Sequence, residues 1–509
     1  MPPRRPRVLL VTAPYHSGVV EAAGVWLPLA LVYVAGAARE AGADVRVYDA
    51  MSLFTTHEDI AKVIEEWRPD VVGTTAITAT EPDCRVICET AKRLNPAIRT
   101  VVGNVHATFC WDQLLRDDPN VDFVVRGEGE LTVADLVRAL AAGGSAADLA
   151  KIDGLAWRRD GVPVTNAPRA LLPDLDVLTP AWDLVDWPRY WYRPSPEGRL
   201  AIASSARGCS QRCSFCSQQK FWERTWRGRD PLKVVEELEF LRDTHGVRVT
   251  MLSDETPTSS RQRWEQILDL LVERGTGMEI LMETRVDDIL RDEDILPKYR
   301  RAGVSHVYLG VESVSQSTLD LYQKDIKVNE SKKAIDLVNA HGMVSETSFV
   351  LGTPEETAAS IRKTVELAKW YAPDMAFFLA LTPWPYADLT PQLESRIATR
   401  DFRRYNLVEP VMKPDNMTME EVQAELHRAT GHFFYDKFKN LSKLTPEKRS
   451  FMVRVLKLLI ENSYLGSEMR HMAGHAQMPE SVKVMLAEIE AEDRKAGRAP
   501  ETPAQRKAG

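Results

Sequence analysis

The sequence predicts an α/β protein built from two successive parallel-sheet domains and a helical C-terminal region. Short runs of Val, Ile and Leu alternate with helical stretches through the first 140 residues, and the same alternation resumes at about residue 199. After residue 391 the strand-like runs stop and long helical patterns take over. Parallel strands buried on both faces appear in a sequence as continuous apolar runs separated by helices. A chain of 509 residues, 44% of them hydrophobic, is large enough for two to four cores.

Residues 1–140 contain five strand–helix units. The predicted strands are Arg7–Ala13, Asp44–Asp49, Val71–Ala76, Thr100–Gly103 and Phe123–Arg126, and the predicted helices are Leu27–Ala41, His57–Trp67, Asp83–Leu94 and Trp111–Arg116. This order favours a doubly wound, flavodoxin-like (Rossmann-type) sheet, whose ligand lies beyond the carboxyl ends of the strands.

The loops at those carboxyl ends are rich in small and hydroxyl-bearing residues. Such loops let a bulky polar cofactor approach the backbone closely. By composition alone, a flavin or a nucleotide would fit them. The candidate ligand-binding residues are Tyr15, His16, Ser17, Thr74, Thr75, Thr78, Gly103, His106, Gly127 and Glu128.

Residues 141–198 form a predicted connector. A hairpin is expected around Arg159-Asp160-Gly161, because an Asp-Gly pair favours a tight turn between two strands. Aromatic residues then accumulate, and we expect them to pack between domains more readily than to line a substrate cavity. They are Trp182, Trp187, Tyr190, Trp191 and Tyr192.

Residues 199–391 repeat the alternation six times. The predicted strands are Leu200–Ser204, Arg248–Ser253, Glu279–Thr284, His306–Gly310, Thr347–Leu351 and Met375–Thr382, with helices such as Pro231–Thr244, Arg261–Glu273 and Asn329–Ala340 between them. Six units of this kind resemble a partial (β/α)6 triose-type (TIM) barrel, in which chemistry takes place at the carboxyl ends of the strands. Polar side chains follow those ends, namely Asp254, Glu255, Glu283, Arg285 and Glu312.

A cysteine motif follows the first barrel strand. Cys209, Cys213 and Cys216 have the spacing C-x3-C-x2-C, which places three thiolates on one loop. Three thiolates can hold three irons of a four-iron, four-sulfur cluster and leave the fourth iron open to a substrate. A zinc site usually needs four ligands, often as two separated pairs, and no second pair of that kind follows. The spacing therefore favours a cluster over zinc or over three unrelated thiols.

Composition restricts the environment and the partners. Six cysteines in so long a chain, three of them needed as thiolates, indicate a reducing cytoplasm, and Cys84, Cys88 and Cys110 are expected to be buried apolar residues. The net charge is −8, without a basic stripe, so a nucleic acid is not an expected partner. No apolar stretch is long enough for a predicted membrane span.

The cysteine motif, with Phe215 before its last cysteine, is similar to the signature of the radical S-adenosylmethionine superfamily. That resemblance implies S-adenosylmethionine as the ligand of the open iron and a 5′-deoxyadenosyl radical as its product. It also implies contacts to S-adenosylmethionine from Phe215, Asp254, Glu255, Glu283, Arg285 and Glu312. The preceding flavodoxin-like domain resembles that of the cobalamin-binding class, so the ten loop residues named above become candidate cobalamin contacts.

Further stretches resemble the oxygen-independent Mg-protoporphyrin IX monomethyl ester cyclase family. They are Tyr15-His16-Ser17-Gly18, Ala76-Ile77-Thr78, Val105-His106-Ala107-Thr108-Phe109, Ala206–Phe221 with Trp222, Arg229–Glu237, Thr284-Arg285-Val286, Thr382-Pro383-Trp384-Pro385, Tyr405-Asn406 and Met412-Lys413-Pro414. The chain departs from the family at Ser210-Gln211-Arg212, at Thr256 and at Glu283, where the family has Asn. No Asp-x-His-x-x-Gly motif is present, so we expect cobalamin without a protein imidazole below its cobalt.

Three classes of function are compatible with these features. The first is an oxidative cyclase acting on a tetrapyrrole ester, the second is a C-methyltransferase acting on a tetrapyrrole or natural-product scaffold, and the third is a cobalamin-binding sensor. A sensor does not need a cluster with an open iron, so the two enzymes are favoured, the cyclase first. Either enzyme would need an external reductant such as flavodoxin or ferredoxin.

The C-terminal part is predicted to be helical over Asp401–Leu407 and Met417–Ser463, followed by a disordered tail. The expected division is a cobalamin-binding domain at 1–140, a connector at 141–198, a radical S-adenosylmethionine core at 199–391, a helical domain at 392–489 and the tail at 490–509.

Overall fold

The computed structural model describes residues 5–16, 24–195 and 198–462. Two sheets dominate these residues. The first has seven strands and the second has six, and a short two-stranded ribbon is inserted in sequence between the first two strands of the second sheet. The α/β class expected from the sequence is confirmed.

The first sheet contains the five predicted parallel strands and one added hairpin. Its strands are β1 (Arg7–Val11), β2 (Asp44–Tyr48), β3 (Val71–Thr75), β4 (Arg99–Gly103), β5 (Phe123–Val125), β6 (Leu155–Arg159) and β7 (Val162–Thr165). They are ordered β2-β1-β3-β4-β5-β6-β7, with β6 and β7 antiparallel. The chain reverses direction across the sheet between β1 and β3, so a crevice opens there at the carboxyl ends of the strands. The hairpin predicted at Arg159-Asp160-Gly161 is confirmed, and Asp160 and Gly161 both have positive φ.

Helices cover both faces of this sheet. They are α1 (Leu29–Glu40), α2 (His57–Trp67), α3 (Glu81–Leu94), α4 (Asn104–Phe109), α5 (Trp111–Asp117), α6 (Glu130–Ala141) and α7 (Ala146–Leu149). Alternate residues of β1 belong to two different cores. Val8 and Leu10 pack in the core of α1 and α6, whereas Leu9 and Val11 pack in the core of α2 and α3.

The second sheet forms the predicted partial barrel. Its strands are β8 (Leu200–Ala203), β11 (Val249–Leu252), β12 (Glu279–Arg285), β13 (Val304–Glu312), β14 (Val344–Leu351) and β15 (Met375–Ala380), and the intervening ribbon is β9 (Ala206–Gly208) with β10 (Trp226–Gly228). The six barrel strands are all parallel and neighbour each other in chain order. All six predicted strands are confirmed.

Helix α8 (Gln218–Phe221) lies between the two sheets. The other helices of this region cover the barrel strands, and they are α9 (Pro231–His245), α10 (Arg261–Arg274), α11 (Val286–Arg291), α12 (Leu296–Arg301), α13 (Gln316–Leu321), α14 (Val328–Ala340) and α15 (Ala358–Tyr371). Helix α9 shows why the boundaries fall where they do. Asp230 caps the first turn, Pro231 occupies the first position, and Gly246 ends the helix in the left-handed conformation.

The connector packs the two regions together. Trp182, Trp187 and Tyr190 are buried in the same apolar core as the outer face of the barrel, and the Tyr190 hydroxyl donates a hydrogen bond of 2.9 Å to Asp49. Tyr192 is buried at the amino end of the barrel, whereas Trp191 is 39% exposed. Interdomain packing is therefore confirmed for four of the five aromatic residues.

The C-terminal region is helical, and one of its two predicted helical stretches is wrong. The helices are α16 (Thr390–Leu393), α17 (Met419–Lys439) and α18 (Pro446–Asn462). The helical stretch expected over Met417–Ser463 forms α17 and α18, separated by a 3-10 turn at Leu441–Lys443, and Ser463 and the tail lie outside the described residues. The helix expected over Asp401–Leu407 is only a 3-10 turn, because Asn406 accepts hydrogen bonds from Val408 and Glu409 and Leu407 has a φ of 67°.

A buried group of four charges, here called the interdomain quartet, joins the two sheets. Glu128 and Glu130 come from the loop and helix after β5, and Arg207 and Arg227 come from the β9–β10 ribbon. Arg207 lies 3.0 Å from Glu128 and 2.7 Å from Glu130, and Arg227 lies 2.9 Å from Glu128. All four side chains are at most 12% exposed. Burial alone would lower the pKa of Arg207, but its attraction to Glu130 and Glu128 raises it.

Candidate functional site

The three motif cysteines lie on a loop that starts at the end of β9. Gly208 begins it with a φ of 93°, and a Cβ atom there would collide with the carbonyl oxygen of Thr225. Ser214 ties the middle of the loop to the barrel, because its amide donates to the Tyr322 carbonyl (2.8 Å) and its own carbonyl accepts from Leu389 (2.8 Å). Phe215 packs against the ring of Tyr322, with centroids 4.9 Å apart. The loop is thus fixed at both its start and its middle.

The cysteines are free thiols that need a favourable charge to ionise. Burial raises the pKa of Cys209 and Cys213 and raises that of Cys216 to about 11, while Arg285 and Lys324 act in the opposite direction on Cys209 and Cys213. Among the described residues, no three His, Cys, Asp or Glu side chains converge as the ligands of one metal ion. A four-iron cluster bonds each thiolate to a different iron and does not require such convergence.

The two carboxylates that follow β11 hold the start of the cluster loop and the segment that leads into it. Asp254 is 2% exposed and accepts hydrogen bonds from the amide and hydroxyl of Ser205. Glu255 accepts from the Gly208 amide (3.1 Å) and from the Trp222 indole (2.5 Å). Burial raises the pKa of both groups. Glu255 also lines the cavity described below, so it alone of the two is placed to meet a ligand there.

Glu283, on β12, is the carboxylate with the fewest partners in this region. It lies opposite Tyr308 in the sheet register and is half-buried. Within residues 24–195 and 198–462, no hydrogen bond or ion pair reaches its carboxylate. Burial, together with the negative charges of Glu346, Glu255 and Glu312, raises its pKa to about 7. Glu283 is therefore able to change protonation state near neutral pH.

Glu312 and Arg285 have partners that the sequence did not reveal. Glu312 takes a positive φ of 63° at an irregularity in β13, and its carboxylate lies 2.9 Å from Lys324, a buried lysine. Arg285 is buried and lies 2.8 Å from Asp287. Lys324 is a candidate site residue that sequence reasoning missed, because the turn after α13 shows nothing that would point to the cluster loop.

A cavity of about 390 Å³ opens between the two sheets. Its walls combine the carboxyl-end loops of the first sheet, helix α1, and the cluster side of the barrel. Five predicted ligand-binding residues line it, namely Thr74, Thr75, Gly103, Gly127 and Glu128. The interior is mostly apolar, with Leu10, Leu31 and Val101 among its walls. Both oxygens of Glu128 are already engaged by the interdomain quartet.

Small residues keep this cavity open. A Cβ atom on Gly73 would approach the Leu10 side chain to 2.8 Å, and both residues line the cavity. At the rim of the cavity, the side-chain amide of Asn104 donates a hydrogen bond of 2.7 Å to the Thr75 hydroxyl. The cavity therefore combines apolar walls with hydroxyl and amide groups at its rim.

Thr78 and His106 lie beside this cavity. His106 is 1% exposed, and its Nδ1 lies 3.2 Å from the Thr78 hydroxyl, which in turn contacts the Tyr386 hydroxyl at 3.1 Å. The rings of Phe402 and Tyr386 enclose the imidazole. Burial and the charge of Arg85 lower the pKa of His106 to about 4. His106 thus joins the first sheet to the barrel side as a neutral imidazole.

The remaining predicted contacts lie at the loop after β1. Tyr15 packs beside the core that contains Ala13 and Ala76. The His16 ring is exposed and stacks on Phe54, with centroids 4.5 Å apart and planes inclined by 6°. Ser17 lies outside the described residues. Cys84 and Cys88 are buried as expected, and Cys110 is partly buried.

Comparison with known proteins gives two family matches in the expected order. The B12 binding domain family matches residues 15–137, and the Radical SAM superfamily matches residues 204–368. An anaerobic magnesium-protoporphyrin IX monomethyl ester cyclase of Rubrivivax gelatinosus is 38% identical over 462 residues, which cover 90% of this chain and 83% of that protein. The chain belongs to the cobalamin-binding radical S-adenosylmethionine enzymes.

Other relatives of this enzyme carry different names. An uncharacterized methyltransferase of Pyrococcus horikoshii is 31% identical over 88% of this chain and 96% of its own length. Among solved structures, the cobalamin-dependent S-adenosylmethionine radical enzyme OxsB with aqua-cobalamin bound superposes with a TM-score of 0.67 at 16% identity, over 96% of this chain and 76% of that one. That likeness supports the fold.

The cofactors of the enzyme are a four-iron, four-sulfur cluster, S-adenosylmethionine and cobalamin. The residues present fit the cluster and cobalamin, since three free thiols lie on an anchored loop near Arg285 and Lys324, and glycines line the cavity beside the barrel. When bound, the cluster and S-adenosylmethionine supply a 5′-deoxyadenosyl radical. Helices in the described part of the chain are too short or too polar to cross a membrane.

We expect the cluster to depend on the three motif cysteines. Replacing Cys209, Cys213 and Cys216 together with Ala should abolish the brown charge-transfer absorption and reduce iron and sulfide to background, because no other three thiols share a loop. The matched control replaces Cys84, Cys88 and Cys110 with Ser and should keep the iron. Iron and sulfide retained near four per chain in the first variant would show that the assignment is wrong.

We also expect Glu283 to make stability depend on pH. Its folded-state pKa, about 7, exceeds its ordinary value of 4.5, so the folded state holds the proton more tightly and loses stability as pH rises between these values. Glu283→Gln should remove that loss. The free energy of unfolding of the cofactor-free chain, measured with denaturant, should fall between pH 5 and pH 8 by on the order of 2 kcal/mol more in wild type than in the variant.

The control for this measurement is Glu273→Gln on the exposed face of α10, which should follow wild type at both pH values. An equal pH response in wild type and Glu283→Gln would mean that Glu283 titrates at its ordinary pKa.

Proposed function

We propose that this enzyme closes the isocyclic ring of Mg-protoporphyrin IX monomethyl ester without oxygen, as a step towards bacteriochlorophyll. The observation that carries the proposal is the 38% identity to the cyclase of Rubrivivax gelatinosus, which spans both cofactor regions. Two further proteins with the same name, from Cereibacter sphaeroides and a Synechocystis species, are 38% and 35% identical.

The residues of the barrel suit a reaction that removes hydrogen from carbon and then handles protons. The cluster loop holds its thiols at the carboxyl ends of the strands, where the anchoring bonds of Ser214 fix it. The barrel supplies three carboxylates for the methionyl ammonium and the ribose hydroxyls of S-adenosylmethionine, on Glu255, Glu283 and Glu312. It supplies two cations for the methionyl carboxylate, on Arg285 and Lys324. Glu283, with its pKa near 7, could accept a proton released by water that adds to the substrate.

The second candidate is C-methylation of a tetrapyrrole or natural-product scaffold. It is favoured by the methyltransferase of Pyrococcus horikoshii, which this chain covers over 96% of its length. A hopanoid C-3 methylase of Methylococcus capsulatus is also related, at 25% identity. Glu283, where the cyclase family has Asn, is the departure that most concerns the orientation of the substrate.

The wider setting is part of the same proposal. We infer a cytoplasmic enzyme that acts on a small molecule, takes electrons from a flavodoxin or ferredoxin, and binds no nucleic acid. We also propose the division into a cobalamin-binding domain at 1–140, a connector at 141–198, a core at 199–391, a helical domain at 392–489 and a tail at 490–509. The predicted contacts to S-adenosylmethionine and cobalamin belong to this proposal too.

One anaerobic incubation separates the two candidates. The reconstituted enzyme is supplied with Mg-protoporphyrin IX monomethyl ester, S-adenosylmethionine and a strong reductant. We expect a protochlorophyllide-like product whose new keto oxygen comes from water, together with 5′-deoxyadenosine and without S-adenosylhomocysteine. Unchanged porphyrin would contradict the cyclase, and S-adenosylhomocysteine formed beside 5′-deoxyadenosine on another scaffold would support methyl transfer. The triple cysteine variant is the control for cluster-dependent cleavage.

A further inference from the structure

The interior of the barrel carries polar side chains. Val307, Leu309 and Val311 on β13 pack in the apolar core that the outer helices cover. Because successive side chains of a strand point to opposite faces, His306 and Tyr308 on the same strand face the barrel interior. Bulky branched apolar side chains usually fill such an interior. An imidazole and a phenol at these positions therefore require an explanation.

One layer of this interior holds two carboxylates and a phenol. Glu283 on β12 lies opposite Tyr308, and Tyr308 lies opposite Glu346 on β14. Neighbouring strands are about 4.8 Å apart, so the backbones of Glu283 and Glu346 are about 10 Å apart and their side chains enter the same space. After burial, the charge of Glu346 contributes most to the raised pKa of Glu283. The other charges that raise it are those of Glu255 and Glu312.

His306 lies one layer nearer the amino end of the barrel, beside Glu346. Its Nε2 atom lies 2.8 Å from Glu346 Oε2, and its Nδ1 atom lies 2.9 Å from the hydroxyl of Tyr192. A nitrogen lone pair and an oxygen lone pair repel each other at such a distance, so one of the two atoms carries a proton between them. When the imidazole donates from Nδ1 to the Tyr192 oxygen, Nε2 is free to accept that proton from Glu346.

The amino end of the barrel is closed around this imidazole. The ring of Phe451, from α18, meets the His306 ring edge-on with centroids 5.9 Å apart. Burial and the negative charges of Glu346 and Glu279 raise the pKa of Tyr192, so its hydroxyl keeps its proton. Within the described part of the chain, the ion pair of Glu346 is with His306 and with no lysine or arginine. His306 is therefore the group at this end that can gain a positive charge.

We propose that Glu346 and His306 take over the proton that Glu283 accepts and hold it as an imidazolium at the closed end of the barrel. The Glu283 carboxyl gives its proton to the Glu346 carboxylate, directly or through a water molecule, and Glu346 passes a proton to Nε2 of His306. Both carboxylates are then ionised and the imidazole carries one positive charge, so charge is conserved and no electron moves. Glu283 is free to accept the next proton. The relay deepens the proposed function, on which the role of Glu283 as a base rests.

The first test is an infrared pH titration of the full chain, which follows the carbonyl stretch of protonated carboxyl groups. Glu283→Gln identifies the band of Glu283, whose midpoint in wild type should lie at about pH 7. Glu346→Gln should lower this midpoint by about one pH unit or more, because it removes a negative charge beside Glu283. His306→Gln should raise the midpoint, because Glu283 can then no longer ionise by passing its proton to the imidazole.

Opposite shifts distinguish the relay from a merely structural role, since loosened packing would admit water and lower the midpoint in both variants. The matched controls are His341→Gln, at the end of α14, and Glu366→Gln, on the exposed face of α15, and both should leave the midpoint unchanged. The inference is wrong if the midpoint of either Glu346→Gln or His306→Gln does not move in its expected direction. If one of these two variants does not fold, the other decides alone.

A second test uses the anaerobic incubation with Mg-protoporphyrin IX monomethyl ester. His306→Gln should still cleave S-adenosylmethionine, but the ratio of 5′-deoxyadenosine to cyclised product should rise by about tenfold or more, because the radical forms while proton release is slowed. An unchanged ratio in folded His306→Gln would contradict the relay. If wild type forms no cyclised product, the proposed function fails, whereas the infrared shifts still decide whether the relay exists.

Discussion

The interdomain quartet is the interaction on which the arrangement of this enzyme depends. Glu128 and Glu130 follow the carboxyl end of β5, on the cofactor side of the first sheet. Arg207 is followed directly by Gly208 and the first cluster cysteine. Two negative and two positive groups neutralise each other in a region almost without solvent. Removing one partner of a buried ion pair leaves an uncompensated charge, which typically costs about 3–5 kcal/mol. Charge pairing thus opposes any sliding of the cluster loop relative to the cobalamin domain.

The functional site follows from that constraint, because both sheets turn the carboxyl ends of their strands towards the same space. The carboxylates there divide into two groups. Asp254 is satisfied by Ser205, just before β9, and Glu255 is satisfied by Gly208 at the start of the cluster loop and by Trp222. Glu283 lacks such partners among the described residues, and its burial, together with the carboxylates around it, raises its pKa to about 7. Polar groups that merely hold the structure have partners, whereas those left without one are available to a ligand.

The sequence was sufficient for the strands, the barrel order and the cofactor class, because continuous β-branched runs and the cysteine spacing are local signals. It was not sufficient for contacts between distant residues. Tyr386 bonds to Thr78 across 308 positions, and Lys324 reaches Glu312 from the turn after α13. The helix predicted over Asp401–Leu407 is wrong because the Asn406 side chain accepts a hydrogen bond from the Val408 amide. Such local bonds compete with the backbone hydrogen bonds of a helix, and helical periodicity does not reveal them. His106 was identified as a loop residue, but its enclosure by Phe402 required the tertiary structure.

The most direct test of this account is the distance between the two paramagnetic cofactors, measured by pulsed dipolar resonance between the reduced cluster and cob(II)alamin. If the quartet fixes the domains, wild type should give one narrow distance distribution, and Glu128→Gln, with both cofactors shown to be bound, should give a broader or shifted one. Asp112→Asn, which removes an exposed pair with Arg116, should match wild type. A distribution in Glu128→Gln as narrow as that of wild type, at the same distance, would contradict the central role of the quartet.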